Sequence, residues 1–465
     1  MPKSFRHLIV LMLENRSFDH MLGFLKSDSY NIEGLTGRET NPAAREADPP
    51  VQVSRDAHTV HDLNPDPGHD FINVNVQIYG NREGRPGGRT MQGFVQDYAL
   101  VSNDAAHGAN VMKCFSDLTL PVLSTLAKQY AICDHWFSSV PGPTIPNRLF
   151  GHAAHSNGSV VQDIAVAPAT LKTIFEVMDD PKNPDTFRIY TDGSSVLLAN
   201  LYLIHHQSHF HRYSDFKNDC LKGDLPAYTF IEPLYDDDPE NGRFATCQHP
   251  DFPVDEGEGL ISEVYSALRD SPLWQDSLLL IVYDEHGGIH DHVLPPTLKP
   301  DPKFPAVPPS TDPPFAFDRL GVRVPAVFVS PYIKPGTIIT QQFDHCSIVA
   351  TVRKLFCLDK NPFNWREAQA ATFDQILNLS DDEVRTDRVV LPDPVVSAPS
   401  GAATARVPPT VRKPTDLTMA MAQAMEYSMK TLGMKPTMQV SQISTAQDAM
   451  NYLNHAAALI KEKAR

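Results

Sequence analysis

Two apolar stretches of this 465-residue chain end on residues that could carry out acid–base or metal chemistry. The first stretch, 8–13, is followed at once by Glu14 and Asn15. In an open α/β sheet, ligands bind beyond the carboxyl ends of the strands, and Glu14 and Asn15 would then lie at that edge. The alternative is a strand that leads into a solvated helix start, with Asn15 or Ser17 as its N-cap.

The second apolar stretch, 277–283, ends on Asp284 and Glu285. The nine residues 284–292 contain three carboxylates, three imidazoles and a Gly-Gly pair. Carboxylates and neutral imidazoles are common ligands of divalent cations, so this segment predicts a metal site. The alternative is a histidine-rich turn that is merely solvated.

A third segment, 137–150, places Thr144 among three prolines. Each proline fixes its own φ and biases the preceding residue toward extended geometry, which would hold the Thr144 hydroxyl in one position. A bound metal could lower the pKa of that hydroxyl and make it a nucleophile, and Arg148 could bind an anionic substrate. The alternative is that Thr144 is only a turn residue.

The elements that must position these residues alternate between strand and helix, which predicts an α/β fold with a mainly parallel central sheet flanked by helices. Strand-like runs occupy 6–13, 131–139, 187–192, 227–232, 277–283 and 323–330. Helical patterns occupy 119–129, 170–179, 257–270 and 344–357.

Taken together, these segments make the chain resemble the phosphoesterases that include bacterial phospholipases C, plant non-specific phospholipases C and a group of acid phosphatases. Further similar stretches are 65–69, 257–269, 319–325 and 343–345. In order and spacing the resemblance covers residues about 5 to 375, more than a single short motif can claim. The Pro-Asp-Pro-Gly-His element at 65–69 and Thr144 look most like the plant enzymes.

The resemblance implies an alkaline-phosphatase-like fold and a metal-dependent phosphoryl transfer. It implies that Thr144 is the nucleophile and is itself bound to the metal. The metal-site positions that it implies are Glu14, Asn15, Thr144, Asp284 and Glu285. Carboxylate and amide ligands admit calcium, magnesium, manganese or zinc.

A histidine is expected to protonate the leaving group, because the ordinary pKa of histidine lies near neutrality. The resemblance implies His69 and His249 as catalytic candidates, and Asn147 and Arg148 as contacts to the substrate. It further suggests one histidine of the segment 203–212, for which we choose His206. The candidates in that segment are His205, His206, His209 and His211, and most of them are expected to be ordinary loop residues.

The amino-acid composition restricts the kinds of partner that this protein can bind. The formal net charge of −16 argues against nucleic acid as an electrostatically attracted partner, so a phosphate site must supply its own local positive field. No segment has the roughly 18 consecutive apolar residues that span a bilayer, which leaves only peripheral membrane contact. No signal peptide is evident, and six cysteines without a C-x-x-C pair favour reduced thiols in a cytoplasmic or non-classically secreted protein. The sequence leaves the oligomeric state open.

We predict three regions: a catalytic domain at 1–388, a Pro-rich linker at 389–414 and a helical extension at 415–465. Two apolar stripes define the helices of the extension, and the first stripe is rich in methionine. Such a stripe could dock lipid or a partner, but packing on the catalytic domain of the same chain is favoured.

Three functions follow from these observations. The leading one is a phospholipase C that hydrolyses the phosphodiester of a glycerophospholipid to diacylglycerol and a phosphorylated head group. The second is an acid phosphatase that uses the same site on phosphate monoesters. The third, a non-catalytic metal- or lipid-binding protein, is disfavoured because Glu14, Thr144 and Asp284 are all present.

Overall fold

The computed structural model describes residues 5–59, 62–84, 90–162, 171–179, 186–192, 195, 197, 200–238, 241–300, 313–357, 359–397, 407–435 and 438–463. Within these residues the strands are β1 His7–Leu13, β2 Thr40–Asn41, β3 Val51–Gln52, β4 Ala131–Cys133, β5 Trp136–Phe137, β6 Phe187–Thr191, β7 Phe210–Arg212, β8 Tyr228–Ile231, β9 Ser277–Tyr283, β10 Ala326–Val329, β11 Thr337–Ile339 and β12 Phe343–Asp344.

The α-helices of the described residues lie between and after these strands. They are α1 Phe18–Leu22, α2 Phe71–Tyr79, α3 Phe94–Ser102, α4 Pro121–Gln129, α5 Thr144–Ala153, α6 Ile174–Met178, α7 Leu201–Ile204, α8 Tyr213–Lys222, α9 Val254–Arg269, α10 Cys346–Phe356, α11 Trp365–Gln369, α12 Asp416–Thr431 and α13 Ala446–Lys463.

The main sheet of the described chain has eight strands in the order β11-β4-β10-β9-β1-β8-β6-β7. Strand β1 lies near the middle and pairs in parallel with β9 on one side and β8 on the other. Strand β10 is antiparallel to both of its neighbours, β9 and β4. All seven residues of β9 are buried, as expected of a parallel strand covered on both faces, which is why its sequence is a continuous apolar run.

The predicted α/β class with a mainly parallel sheet flanked by helices is confirmed by this topology. The single predicted strand at 131–139 is wrong in detail. Strand β4 joins the main sheet, whereas β5 pairs with β12 in a separate two-stranded sheet. The break falls at Asp134 and His135, whose side chains contact each other, and the chain leaves the main sheet there.

The two helices of the C-terminal extension, α12 and α13, pack on each other, and their buried residues share one apolar cluster with residues of α5. Leu417, Met421 and Met425 of α12 belong to the same buried apolar cluster as Ile145 and Leu149 of α5. The methionine stripe is therefore covered by the chain itself.

None of the helices in the described ranges is both long and apolar enough to cross a membrane. All six cysteines are buried free thiols.

Candidate active site

The carboxyl ends of β1 and β9 meet at one edge of the sheet. Leu13 lies opposite Tyr283 in the parallel pairing, so the residues that follow them, Glu14 and Asp284, emerge side by side. The amide of Asn15 donates to Oδ1 of Asp284 over 3.1 Å. The register of β1 and β9 therefore places Glu14 next to Asp284, as the sequence pattern predicts.

A tight backbone turn places Asn15. Asn15 has a φ of 55°, in the left-handed region that asparagine tolerates better than most residues. Gly287 has a φ of 64°, and a Cβ at that position would lie 2.1 Å from the carbonyl oxygen of Asn15. Only glycine fits there, because any side chain would push the Asn15 backbone away from Asp284.

Thr144 is the first residue of α5, and its side chain is fully buried. Its Oγ1 donates to Oδ1 of Asn15 over 3.2 Å. The hydroxyl from the Pro-rich segment therefore reaches the edge where β1 and β9 end. Its position at the N-terminus of a ten-residue helix favours negative charge next to it, as a phosphoryl group would bring.

Asn147 holds the loop that leads to Thr144. Its Oδ1 accepts from the amide of Val140 over 3.0 Å, and its Nδ2 donates to the carbonyl of Gly142 over 2.9 Å. These bonds to backbone groups account for its side chain, so the structure gives Asn147 a role in shaping the loop. Its contact with substrate stays a prediction.

Arg148 lies beneath the site as an internal counterion. Its Nε donates to Oδ2 of Asp284 over 2.9 Å, and its Nη2 lies 3.6 Å from Oε1 of Glu14. The guanidinium is fully buried and also lies over the Tyr235 ring. The substrate contact suggested by the resemblance stays a prediction, since the guanidinium is already engaged by these acids.

Burial raises the pKa values of the carboxylic side chains Glu14 and Asp284. It raises the pKa of Glu14 well above its usual value, although Arg148 opposes the shift. It also raises the pKa of Asp284 to about 6, again against Arg148. A bound cation would favour the ionised form of both groups, since a nearby positive charge stabilises a carboxylate.

The donor set fits a divalent cation. Among the described residues, Oε1 of Glu14, Nδ2 of Asn15 and Oε1 of Glu285 are buried without a hydrogen-bond partner. Because the two ends of an amide are assigned from their contacts, Asn15 can also present its oxygen. Carboxylate and amide oxygens are the ligands expected for such an ion.

Two histidines form a second part of the site. The rings of His69 and His249 are 6.0 Å apart, and Oδ2 of Asp66 lies 3.4 Å from Nδ1 of His69 and 3.7 Å from Nε2 of His249. Nδ1 of His69 also lies 3.1 Å from the carbonyl of Pro67. Both histidines are buried.

Opposite pKa shifts distinguish these two histidines. Burial alone would lower the pKa of His69, but three nearby carboxylates, on Asp66, Glu285 and Asp416, outweigh it and hold that pKa well above its usual value. For His249 burial prevails and lowers the pKa. The pair therefore combines an imidazolium with a neutral imidazole at neutral pH, the arrangement expected when one group acts as a cation and the other as a base.

His206 lies elsewhere. Among the described residues its ring stacks on Tyr202 and its Nε2 lies 3.5 Å from Asp179. His209 stacks on Phe187 of β6, two strands from β1 in the sheet. The structure does not bring His206 to Thr144, and its role stays a prediction.

Groups of potential metal ligands also occur at two further places in the described chain. One consists of Asp66, His69 and His249, and the other of Asp19, Asp291 and His292. In the second group, Arg323 already bonds to both carboxylates. In the first, both nitrogens of His69 face hydrogen-bond acceptors, which favours an imidazolium over a metal ligand.

Sequence reasoning missed three residues that contact the site: Asp66 and Asp416, which lie against His69, and Gln162, whose Oε1 accepts from the amide of Ile145. Asp66 lies within the Pro-Asp-Pro-Gly-His element, so that motif could have indicated it. Gln162 and Asp416 carry no local signal. A cavity of about 410 Å³ opens beside the histidines and is lined in part by Asp66, Asp251 and Phe252.

Comparison with known protein families assigns the chain to a class of enzymes. The phosphoesterase family matches residues 5–359 of the chain. This confirms the predicted resemblance and the predicted class, a hydrolase that acts on phosphoric esters. The chain belongs to the phosphoesterase family.

Non-specific phospholipase C6 of Arabidopsis thaliana is 40% identical over 388 residues, which cover 80% of this chain and 72% of that protein. Phospholipase C B of Mycobacterium tuberculosis is 25% identical over 425 residues, which cover 80% of this chain and 78% of that protein. A solved structure from Vibrio parahaemolyticus, titled as a protein in the alkaline phosphatase superfamily, matches with a TM-score of 0.35 at 10% identity, over 80% of this chain and 72% of that one. The α/β assignment rests on the sheet of this chain itself.

Proposed function

We propose that this protein is a phospholipase C that hydrolyses glycerophospholipids to diacylglycerol and a phosphorylated head group. Thr144 is the nucleophile in this proposal, and His69 and His249 assist it. The relatives named phospholipase C support the substrate class. The observation that carries the chemistry is the hydrogen bond between Thr144 and Asn15, which joins the hydroxyl to the acidic edge of the sheet.

The reaction takes two displacements. Thr144 Oγ1 attacks phosphorus, and the bond from phosphorus to the glycerol oxygen breaks. His249 accepts the hydroxyl proton and delivers it to the departing diacylglycerol oxygen. Water then attacks the phospho-threonine, His249 takes its proton, and the bond from phosphorus to Oγ1 breaks as that proton returns to Thr144.

Each of the two histidines has a separate task. His249 is suited to carry the proton because its buried ring nitrogens have no hydrogen bond among the described residues and its pKa is lowered. His69, held as an imidazolium, stabilises the charge on the phosphoryl oxygens from a fixed position.

Glu14, Asn15, Asp284 and Glu285 would hold a divalent cation beside Thr144. That ion, when bound, would favour the ionised Thr144 hydroxyl and neutralise phosphoryl charge. Arg148 stabilises the same acids from the buried side.

The cavity beside His249 and Asp66 favours a phosphodiester over a monoester. Its volume of about 410 Å³ provides room for a second substituent on phosphorus next to the histidines. The lining carries both signs of charge, with Asp237 and Asp251 on one hand and Arg412 and Lys413 on the other, so it favours a polar head group without selecting its charge.

The test incubates the purified protein with phosphatidylcholine and, separately, with an aryl phosphate monoester. Wild-type protein should release diacylglycerol, and Thr144→Ala should abolish that release while Thr144→Ser keeps part of it. Turnover of the monoester alone would favour a phosphatase instead. Metal analysis of the same sample, with chelator treatment and add-back, identifies the ion.

A further inference from the structure

The C-terminal extension reaches the histidine pair through one carboxylate. Oδ2 of Asp416, the first residue of α12, lies 3.2 Å from Nε2 of His69. The same oxygen accepts from Nε2 of Gln162 over 3.1 Å. Oε1 of Gln162 in turn accepts from the amide of Ile145, the residue after Thr144, over 2.9 Å.

We propose that Asp416 is a positioning residue of the active site, which orients the His69 ring and ties it, through Gln162, to the first turn of the helix that carries Thr144. This inference rests on the proposed function, since it assigns a task to a residue of that same site. The phosphoesterase family match ends at residue 359, so Asp416 lies outside it.

Packing fixes Asp416 in this place. Thr415 caps α12 by accepting from the amide of Thr418. Leu417 and Met421, on the buried face of α12, belong to one apolar cluster with Leu149 of α5. The C-terminal extension and the helix that carries Thr144 therefore share one apolar cluster, and Asp416 lies at the end of α12 that contacts His69.

Both nitrogens of His69 face acceptors. Nδ1 lies by the carbonyl of Pro67 and the carboxylate of Asp66, and Nε2 lies by Asp416. A ring in this setting can satisfy both contacts only with two N–H groups, that is, as an imidazolium.

Other charged groups also act on the His69 ring, and the effect of Asp416 must be separated from theirs. The titratable groups around it are Asp66, Asp70, Asp97, His249, Glu285 and Asp416. Asp416 keeps 43% of its side-chain surface exposed, so solvent screens part of its interaction with the ring. We therefore expect a moderate effect when its charge is removed.

The alternative hypothesis is that Asp416 blocks substrate binding. A carboxylate bound to His69 could occupy the place of a substrate phosphate oxygen and would have to leave before substrate binds. Removing it would then lower KM and raise kcat/KM. The positioning role predicts the reverse, so one set of variants separates the two.

The experiment measures kcat/KM against pH for full-length wild type, Asp416→Asn and Asp416→Glu. The substrates are a soluble aryl phosphodiester and the matching monoester, so the test proceeds on whichever is hydrolysed. Asp448→Asn is the control, because Asp448 lies in the first turn of α13 and its carboxylate bonds only to Ser444 and Thr445 among the described residues. Thermal unfolding of each variant reports its stability.

In Asp416→Asn the alkaline limb of the profile should move to lower pH by about one unit, with about a ten-fold loss of kcat/KM on that limb. Asp416→Glu should recover much of the loss, and Asp448→Asn should match wild type. An unchanged profile, a gain in kcat/KM, or a loss without a shift of the limb and without recovery in Asp416→Glu would overturn the proposal.

A second measurement is independent of turnover. In protein labelled with ¹⁵N-histidine, the pKa of His69 should be lower in Asp416→Asn than in wild type, the His69 signal being identified by its loss in His69→Gln. An equal His69 pKa in wild type and Asp416→Asn would overturn the proposal even if neither ester is hydrolysed. Activity that survives Thr144→Ala would instead refute the proposed function. If Asp416→Asn does not fold, Asp416→Ser, which leaves the N-cap Thr415 in place, is used instead in both measurements.

Discussion

The guanidinium of Arg148 lies 2.9 Å from the carboxylate of Asp284, and both side chains are completely buried. Arg148 lies four residues after Thr144, the proposed nucleophile, on the same helix. The arginine that the sequence suggests as a substrate contact is therefore the counterion of the acidic edge. Its main effect should be on the stability of the site.

Replacing Arg148 with methionine should destabilise the protein. The change leaves Glu14 and Asp284 buried without their cation, which costs about 3–5 kcal/mol of unfolding free energy. Chemical denaturation measures this loss. Arg388→Met is the control, since Arg388 pairs with Asp270 at the surface and should cost less than about 1 kcal/mol. Equal effects of the two variants would contradict the counterion role.

Replacing Gly287 with alanine should disrupt the site through the backbone. The added Cβ meets the carbonyl oxygen of Asn15, and a displacement of this kind near the reacting groups can cost about 100-fold in rate. Gly336→Ala is a matched control, because Gly336 also has a positive φ, of 73°, but a Cβ there has no heavy atom within 4 Å. Both variants should lose about 1–2 kcal/mol of stability, and only Gly287→Ala should lose activity beyond that. Similar activities would show that the contact with Asn15 is unimportant.

The rate should depend on pH with a maximum near neutrality. His249 has a lowered pKa and is neutral at pH 7, so kcat/KM should fall on the acid side as this group gains a proton. His69 has a raised pKa and is cationic at pH 7, so kcat/KM should fall on the alkaline side as it loses its proton. His455→Gln, at an exposed position on α13, should leave the profile unchanged. A rate that rises steadily through pH 7 would contradict these two protonation states.

The sequence predicts the centre of the fold well. Strands β1 and β9 are buried on both faces, so their sequences are uninterrupted apolar runs that end where the chain meets polar surroundings. The same physics brings Glu14 and Asp284 together, because neighbouring parallel strands end at the same edge of the sheet.

The partners of a side chain are harder to predict, because they depend on contacts between distant parts of the chain. Nothing local distinguishes Arg148 as an internal counterion from Arg148 as a phosphate ligand. The antiparallel direction of β10 is likewise set by its connection and not by its composition. Asp416 is the extreme case, since it meets His69 across 347 positions of sequence.

The central claim is that Thr144 becomes covalently phosphorylated during turnover. The direct measurement mixes enzyme with phosphatidylcholine in detergent micelles, quenches with acid within the first turnovers, and maps the modified peptide by mass spectrometry. The account predicts a phosphorylated head group on Thr144 in wild type, together with a burst of diacylglycerol that matches the amount of enzyme. Steady release of diacylglycerol with an unmodified Thr144, or full activity in Thr144→Ala, would contradict it.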